Sequence, residues 1–206
     1  VDRKDWPLVK FLIEHPDQGI IAAINRDMET KEYGHGVATS VTPGTAGVTG
    51  QTMNGLITLI QAGVNAETIN SVNIGTLDKD TIFDQIELFT DGISEIYQNV
   101  KMNVFVSPKW HKLYLRDKRA QGFVNQAAPG STDGTIDFTP QMVMPLPSLS
   151  GSDVIFATPK ANLIHLTKKG ANKTNFQIQE AKRVVNILAD WWEGIGFGMD
   201  AAVWTN

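Results

Sequence analysis

The stretch from Leu77 to Lys118 leaves this chain little freedom of local structure. Between Asp78 and Tyr97, the residues Ile82, Ile86, Phe89, Ile93 and Ile96 recur at intervals of three and four, which places them on one face of an α-helix. Asp78 and Asp80 stand at its start, where carboxylates accept unpaired N–H groups of the first turn and suit the helix dipole. Met102 to Val106 reads as a short apolar strand. Ser107-Pro108 then opens a second helix over Lys109–Lys118, with a hydroxyl at the cap and proline at the first helical position, where its missing N–H costs nothing. Trp110, Leu113 and Tyr114 form the expected buried stripe of this helix, while Lys109, Lys112, Arg116, Lys118 and Arg119 give it a basic side, either a solvated face or a contact for an acidic neighbouring subunit. The unit is helix, strand, helix, and nothing in it looks catalytic.

On either side the pattern is more broken. Leu8, Phe11 and Leu12 begin a helical stripe that His15-Pro16-Asp17 should stop or kink, and Ile20, Ile21, Ile24 and Met28 resume it. Gly34 to Gly50 is rich in Gly, Thr, Ser and Pro and reads as a loop or irregular ribbon. A short helix is expected over Met53–Ala62, with Leu56, Ile57 and Ile60 on one side, and Thr68 to Leu77 fits a strand or a loop. Residues 119–134 make a long exposed connection. Beyond it, Ile136–Met144, Asp153–Thr158, Leu163–Thr167 and Asn175–Gln179 are strand-like, with Lys168–Lys173 as a hairpin-like turn. Phe176 and Ile178 alternate with polar neighbours, as in a half-buried strand. Gly194-Ile-Gly-Phe-Gly-Met199 predicts a strand with one bare face, open to close approach by another backbone. No repeat at a fixed period points to a solenoid or propeller.

With 206 residues, 42% of them apolar, the chain can bury a substantial core. A formal charge of −4 and a pI near 5.5 give no basic footprint for a DNA-binding module. The absence of Cys excludes disulfides, thiolate metal sites and a Cys nucleophile, yet leaves the compartment open. No apolar run is long enough to span a bilayer, and Val1-Asp-Arg-Lys-Asp5 has no apolar signal core. Without an initiator Met, the chain reads as a processed or excised portion of a longer protein.

Each candidate for chemistry fails on spacing. Gly44, Gly47 and Gly50 faintly resemble a phosphate loop, but five residues separate Gly44 from Gly50 and Gln51 stands where Lys should be. Gly194, Gly196 and Gly198 miss the dinucleotide fingerprint because the third glycine comes one position early. His15, His35, His111 and His165 lie at least about 20 residues apart, unlike local zinc ligands. His111 is expected to make a structural hydrogen bond beside Trp110, and His165 to be a satisfied, half-buried strand residue. Asp78 and Asp80 would open a calcium loop only if 82, 83 and 89 were an oxygen ligand, Gly and Glu; they are Ile82, Phe83 and Phe89. No Gly-x-Ser-x-Gly elbow is present. The expectation is therefore no catalytic residue, no cofactor and no metal. Trp191, Trp192 and Trp204 remain as core or as interface anchors.

The order of these parts resembles the major capsid proteins of tailed bacteriophages, which have the Hong Kong 97-type shell fold. A strand ends in a small polar residue plus Pro, and a helix with Trp110-His111 and a charged Arg116-Asp117-Lys118 end follows. The resemblance continues through Met142–Pro147, an apolar strand ending in Leu-Pro, through Asp153–Pro159, and through Asn175–Glu180 and Arg183–Val203 to the closing Ala202-Val203-Trp204. It covers residues 50–206 well and the first 50 more loosely. It implies an α+β fold lacking the family's N-terminal arm and extended loop, the chain being the C-terminal part from the spine helix onward. Residues 1–75 would form the spine helix and part of a peripheral domain, 76–175 an axial domain, and 176–206 the strands returning to the periphery. The implied function is a non-enzymatic shell subunit, made in the bacterial host cytoplasm and residing in the virion. Its partners would be copies of itself in hexamers and pentamers, enclosing double-stranded DNA without sequence-specific contacts or any membrane. Two other readings remain: a β-rich carbohydrate- or ligand-binding module using exposed Trp and Tyr, and an enzyme whose site is assembled from distant residues.

Overall fold

A computed structural model describes residues 7–15, 19–40, 45, 47–122, 134–136, 139–167, 176–181, 184–189 and 192–206. Helix α1 (Pro7–Glu14) stops before His15, and α2 (Ile20–Asp27) resumes the apolar stripe before widening into a π-helical turn at Met28–Glu32. The break falls where proline was expected to force one, although Pro16 and Asp17 themselves lie outside the described residues. The Gly-rich segment that follows is irregular where described. It is tied down by Gly50 N–H donating to the buried Glu32 carboxylate and by the pairs Val37 N to Gly50 O and Thr39 N to Gln51 O. That pairing delays the next helix. Gly55 N donates to Gly36 O and Asn54 Oδ1 accepts from Ala38 N, so Met53 and Asn54 serve the loop and α3 runs Leu56–Asn65.

After β1 (Asn70–Ser71), the long helix expected over 78–97 is divided into α4 (Ile82–Asp91) and α5 (Glu95–Gln98). Val72 packs where a side chain at Gly92 would stand, and Ser94 restarts the chain as a new N-cap. Ile82, Ile86, Phe89 and Ile93 are buried as their spacing requires; Ile96, carried past the break, is 81% exposed. The cap of α4 also differs from expectation. Asp78 bonds the Asp80 N–H and Asp80 pairs with Lys79, whereas the Phe83 N–H donates to Asp117, 34 residues along the chain.

Strand β2 (Met102–Val106) and helix α6 (Pro108–Ala120) realise the remainder of the unit, with Met102, Val104 and Val106 pointing into the core. Ser107 holds the N-cap position, but its buried hydroxyl makes no hydrogen bond; its carbonyl accepts from His111 N. β3 (Met142–Pro145) is shorter than expected, because Thr139 N donates to Ile136 O and Ile136 N to Gln141 O, turning the chain before Met142. β4 (Phe156–Pro159) begins after Asp153 has accepted the Trp110 indole N–H at 2.7 Å.

The remaining strands are β5 (Leu163–Thr167), β6 (Phe176–Ala181), β7 (Val184–Ala189), β8 (Glu193–Phe197) and β9 (Trp204–Thr205). β5 does not form a hairpin with β6. Instead β6 pairs with β7 and β5 with β8, one antiparallel ribbon nested inside the other, while Lys168–Lys173 lies outside the described residues. The main sheet has the order β1-β9-β4-β2-β3, with β1/β9 and β2/β3 parallel and the other pairs antiparallel. It joins strands as far apart in the chain as Asn70–Ser71 and Trp204–Thr205. Its principal core gathers Ile82, Ile86, Phe89, Met102, Tyr114 and Trp204; a second, around Leu56, Leu149, Phe156 and Val203, receives Leu163, Ile195 and Phe197 from the β5/β8 ribbon. The result is an α+β protein, as expected. No helix among the described residues is long and apolar enough to cross a membrane.

Candidate functional site

The β5/β8 ribbon has two unlike faces, because side chains alternate along a strand and cross-strand partners share a face. On the inner face, Leu163 and the residues Ile195 and Phe197 meet the second core. His165 and Glu193 belong to the same face near its far end. There the Glu193 carboxylate, almost fully buried, accepts hydrogen bonds from the Tyr33 hydroxyl and from His165 Nε2 at 2.7 Å. Burial first, then the hydrogen bond and charge of Glu193, then the charge of Glu29, raise the Tyr33 hydroxyl above its ordinary value. The cluster fastens the end of the π-helical turn that follows α2 to the ribbon. His165 is thus satisfied, as the sequence led one to expect, but it is exposed rather than half-buried.

The outer face of the ribbon carries Ile164 and Leu166 on one strand and Gly196 and Gly194 directly opposite them. Leu166 is 66% exposed, and a Cβ at either glycine would meet nothing within 4 Å. Trp192, 71% exposed, stands at the ribbon's end next to Glu193. The bare strand face foreseen from alternating glycines is therefore real and open.

A second feature is a cleft of about 370 Å³ between the C-terminal end of α4, α5 and the 139–141 turn. Its lining is polar: Glu87, Asp91, Thr90, Gln98, Asn99, Thr139 and Gln141, with Ile136 and Pro140. Gln141 is 1% exposed and its side-chain amide has no hydrogen-bond partner. On the far side of α6, Lys109, Lys112, Arg116 and Arg119 are exposed and spaced three, four and three residues apart, one continuous row. Lys109 lies 4.7 Å above the Trp110 ring. Lys118, grouped with them by sequence, turns instead to the Thr135 carbonyl at 2.6 Å.

The structure separates the remaining candidates. His35 Nε2 lies 2.9 Å from Ser150 O, His15 packs edge-on against Phe11, and His111 is half-buried with its pKa lowered by desolvation. The hydrogen bond expected of the His111 ring is not found among the described residues. No group of three or more His, Asp or Glu is arranged to hold a metal among the described residues. Gly194 and Gly196 lie in strand β8 rather than at a helix N-terminus, and Gly50 at a turn bonded to Glu32; Gly44 lies outside the described residues. Trp110, Trp204 and Tyr114 are core residues, so of the aromatic residues weighed for a platform only Trp192 is largely exposed among those described; Trp191 lies outside them. No protein-family model, curated protein or solved structure matches the chain. The cleft was not legible in the sequence because it depends on how α4, α5 and the 139–141 turn pack, whereas the basic row on α6 was already visible there.

Proposed function

We propose that the chain is a shell-forming structural subunit of the Hong Kong 97 type, working by association with copies of itself. The observation that carries this reading is the outer face of the β5/β8 ribbon, where Ile164, Leu166 and two side-chain-free glycines form an uncovered apolar strip ending at Trp192. Such a strip, firmly held from behind by a packed core, is suited to a partner that lies flat on it. The helix, strand, helix unit and the later strands supply the order of elements on which the resemblance rests. In this reading the protein acts through geometry: identical surfaces bury one another repeatedly, and rotational symmetry closes the rings.

Electron microscopy of the full-length gene product under assembly conditions tests the proposal. Hexamers, pentamers or closed particles are the expected result, and a product that stays monomeric at all concentrations overturns it. A glycan-binding module would instead show saturable glycan binding that is lost with Trp192→Ala.

A further inference from the structure

Helix α4 ends against the usual electrostatic rule. The C-terminal end of a helix carries partial negative charge and favours cations, yet the last turn of α4 has no basic residue, and Glu87 and Asp91 add two carboxylates there. Asp84, Glu87 and Asp91 recur along α4 at intervals of three and four, a row about 10 Å long at 1.5 Å per residue, with Asp84 and Asp91 exposed, Glu87 partly buried and Asp84 accepting from Gln121 Nε2 just past α6. The cleft opens at its end, with the orphaned Gln141 amide in its wall. Leu88 on α4 and Ile96 on α5 are 53% and 81% exposed. On α6 the row Lys109, Lys112, Arg116, Arg119 spans about 15 Å by the same measure. Among the described residues no ion pair joins the two rows, and none engages Lys112, Arg116, Arg119 or Asp91.

We propose that the acidic row and cleft of α4 receive the basic row of α6 from a second copy of this chain. Each molecule carries both halves of the contact, so one copy satisfies the next. The rows are opposite in sign, and the shorter acidic row can lie within the length of the basic one, which is the complementarity that sets register and suppresses wrong partners. A guanidinium or ammonium entering the cleft meets two carboxylates, the negative helix end and, in Gln141, an amide oxygen without a donor. Exposed Leu88, next in sequence to Glu87, supplies apolar area on the same helix. This contact rests on the shell reading and names one of its interfaces.

The test compares the wild-type full-length product with Lys112→Glu/Arg116→Glu, with Asp84→Lys/Asp91→Lys, and with the four changes combined, using sedimentation velocity and electron microscopy. Each double variant should associate at least roughly tenfold more weakly, because like charges then face one another. The quadruple variant should recover association, since both rows are reversed together. Carbodiimide cross-linking of a mixture of ¹⁴N- and ¹⁵N-labelled wild type should yield mixed-isotope peptides joining Lys112 or Lys109 to Asp91, Glu87 or Asp84. Double variants that assemble like wild type, or a folded quadruple variant that does not recover, overturn the contact and leave the shell reading standing. A wild type that remains monomeric overturns both.

Discussion

Asp117 does for α4 what no residue of its own first turn does. Its carboxylate, mostly buried on α6, accepts the Phe83 N–H at 2.9 Å and so joins the two helices that cover the main sheet. Asp117→Ala leaves that N–H without an acceptor in a buried place and should cost about 1–2 kcal/mol, whereas Asp117→Asn keeps an oxygen there and should cost clearly less. Urea melts of the two variants check the order. The sequence offered Asp78 and Asp80 for this role because a cap is normally sought just before the helix; a cap delivered from 34 residues away leaves no local signature. His111 makes a prediction of a different kind. Burial lowers its pKa, so below its ordinary value near 6.5 the unfolded chain binds the proton more readily than the folded one. Stability should be complete above pH 6.5 and fall as pH drops from there through the lower folded value. His111→Gln should flatten that part of a plot of melting temperature against pH, and an unchanged slope would show that the ring is not its source.

Elements were legible where one local pattern decided them and illegible where a partner did. β2 and β5 fall on their expected residues because each is an apolar run with clear limits. The break at Gly92 depends on Val72 filling the space beside the glycine, and the late start of α3 on the hydrogen bonds that Gln51 and Asn54 accept from the preceding loop and that Gly55 donates to it. The nesting of β6/β7 inside β5/β8 was likewise hidden, since an apolar strand does not name its neighbour. What the alternating glycines did make readable was the bare face of β8, and with it the ribbon's outer surface. If Ile164 and Leu166 are there for a partner rather than for the fold, replacing both by Thr should change stability by no more than about 0.5 kcal/mol per site, as at exposed positions generally. On the proposed shell reading, the same double variant should shift assembly to higher protein concentration. A large loss of melting temperature in the Ile164→Thr/Leu166→Thr protein would place these side chains in the fold's own packing instead.

At the scale of the molecule, the last residues hold the architecture together. β9 pairs in parallel with β1 and antiparallel with β4, so two residues near the C-terminus connect a strand that follows α3 to the centre of the sheet. Trp204 is buried and packs 4.9 Å from the Tyr97 ring, Thr205 Oγ1 donates to Ile155 O, and Asn206 Oδ1 accepts the Ile155 N–H. A closing strand of this kind makes the first core and the second one interdependent, because Trp204 lies in one and Val203 in the other. Trp204→Ala should therefore cost about 3–5 kcal/mol, the range for emptying a large aromatic site in a core that can only partly collapse. Because both cores share β9, the loss should appear as a single cooperative shift in every probe, tryptophan fluorescence and far-ultraviolet circular dichroism alike. Separate transitions in the Trp204→Ala protein would mean that the two cores fold independently and that β9 merely rests between them. On the proposed shell reading, the coupled outcome has a direct consequence: the β5/β8 face and the α4 and α6 charge rows, backed by different cores, would be held at one fixed relation to each other.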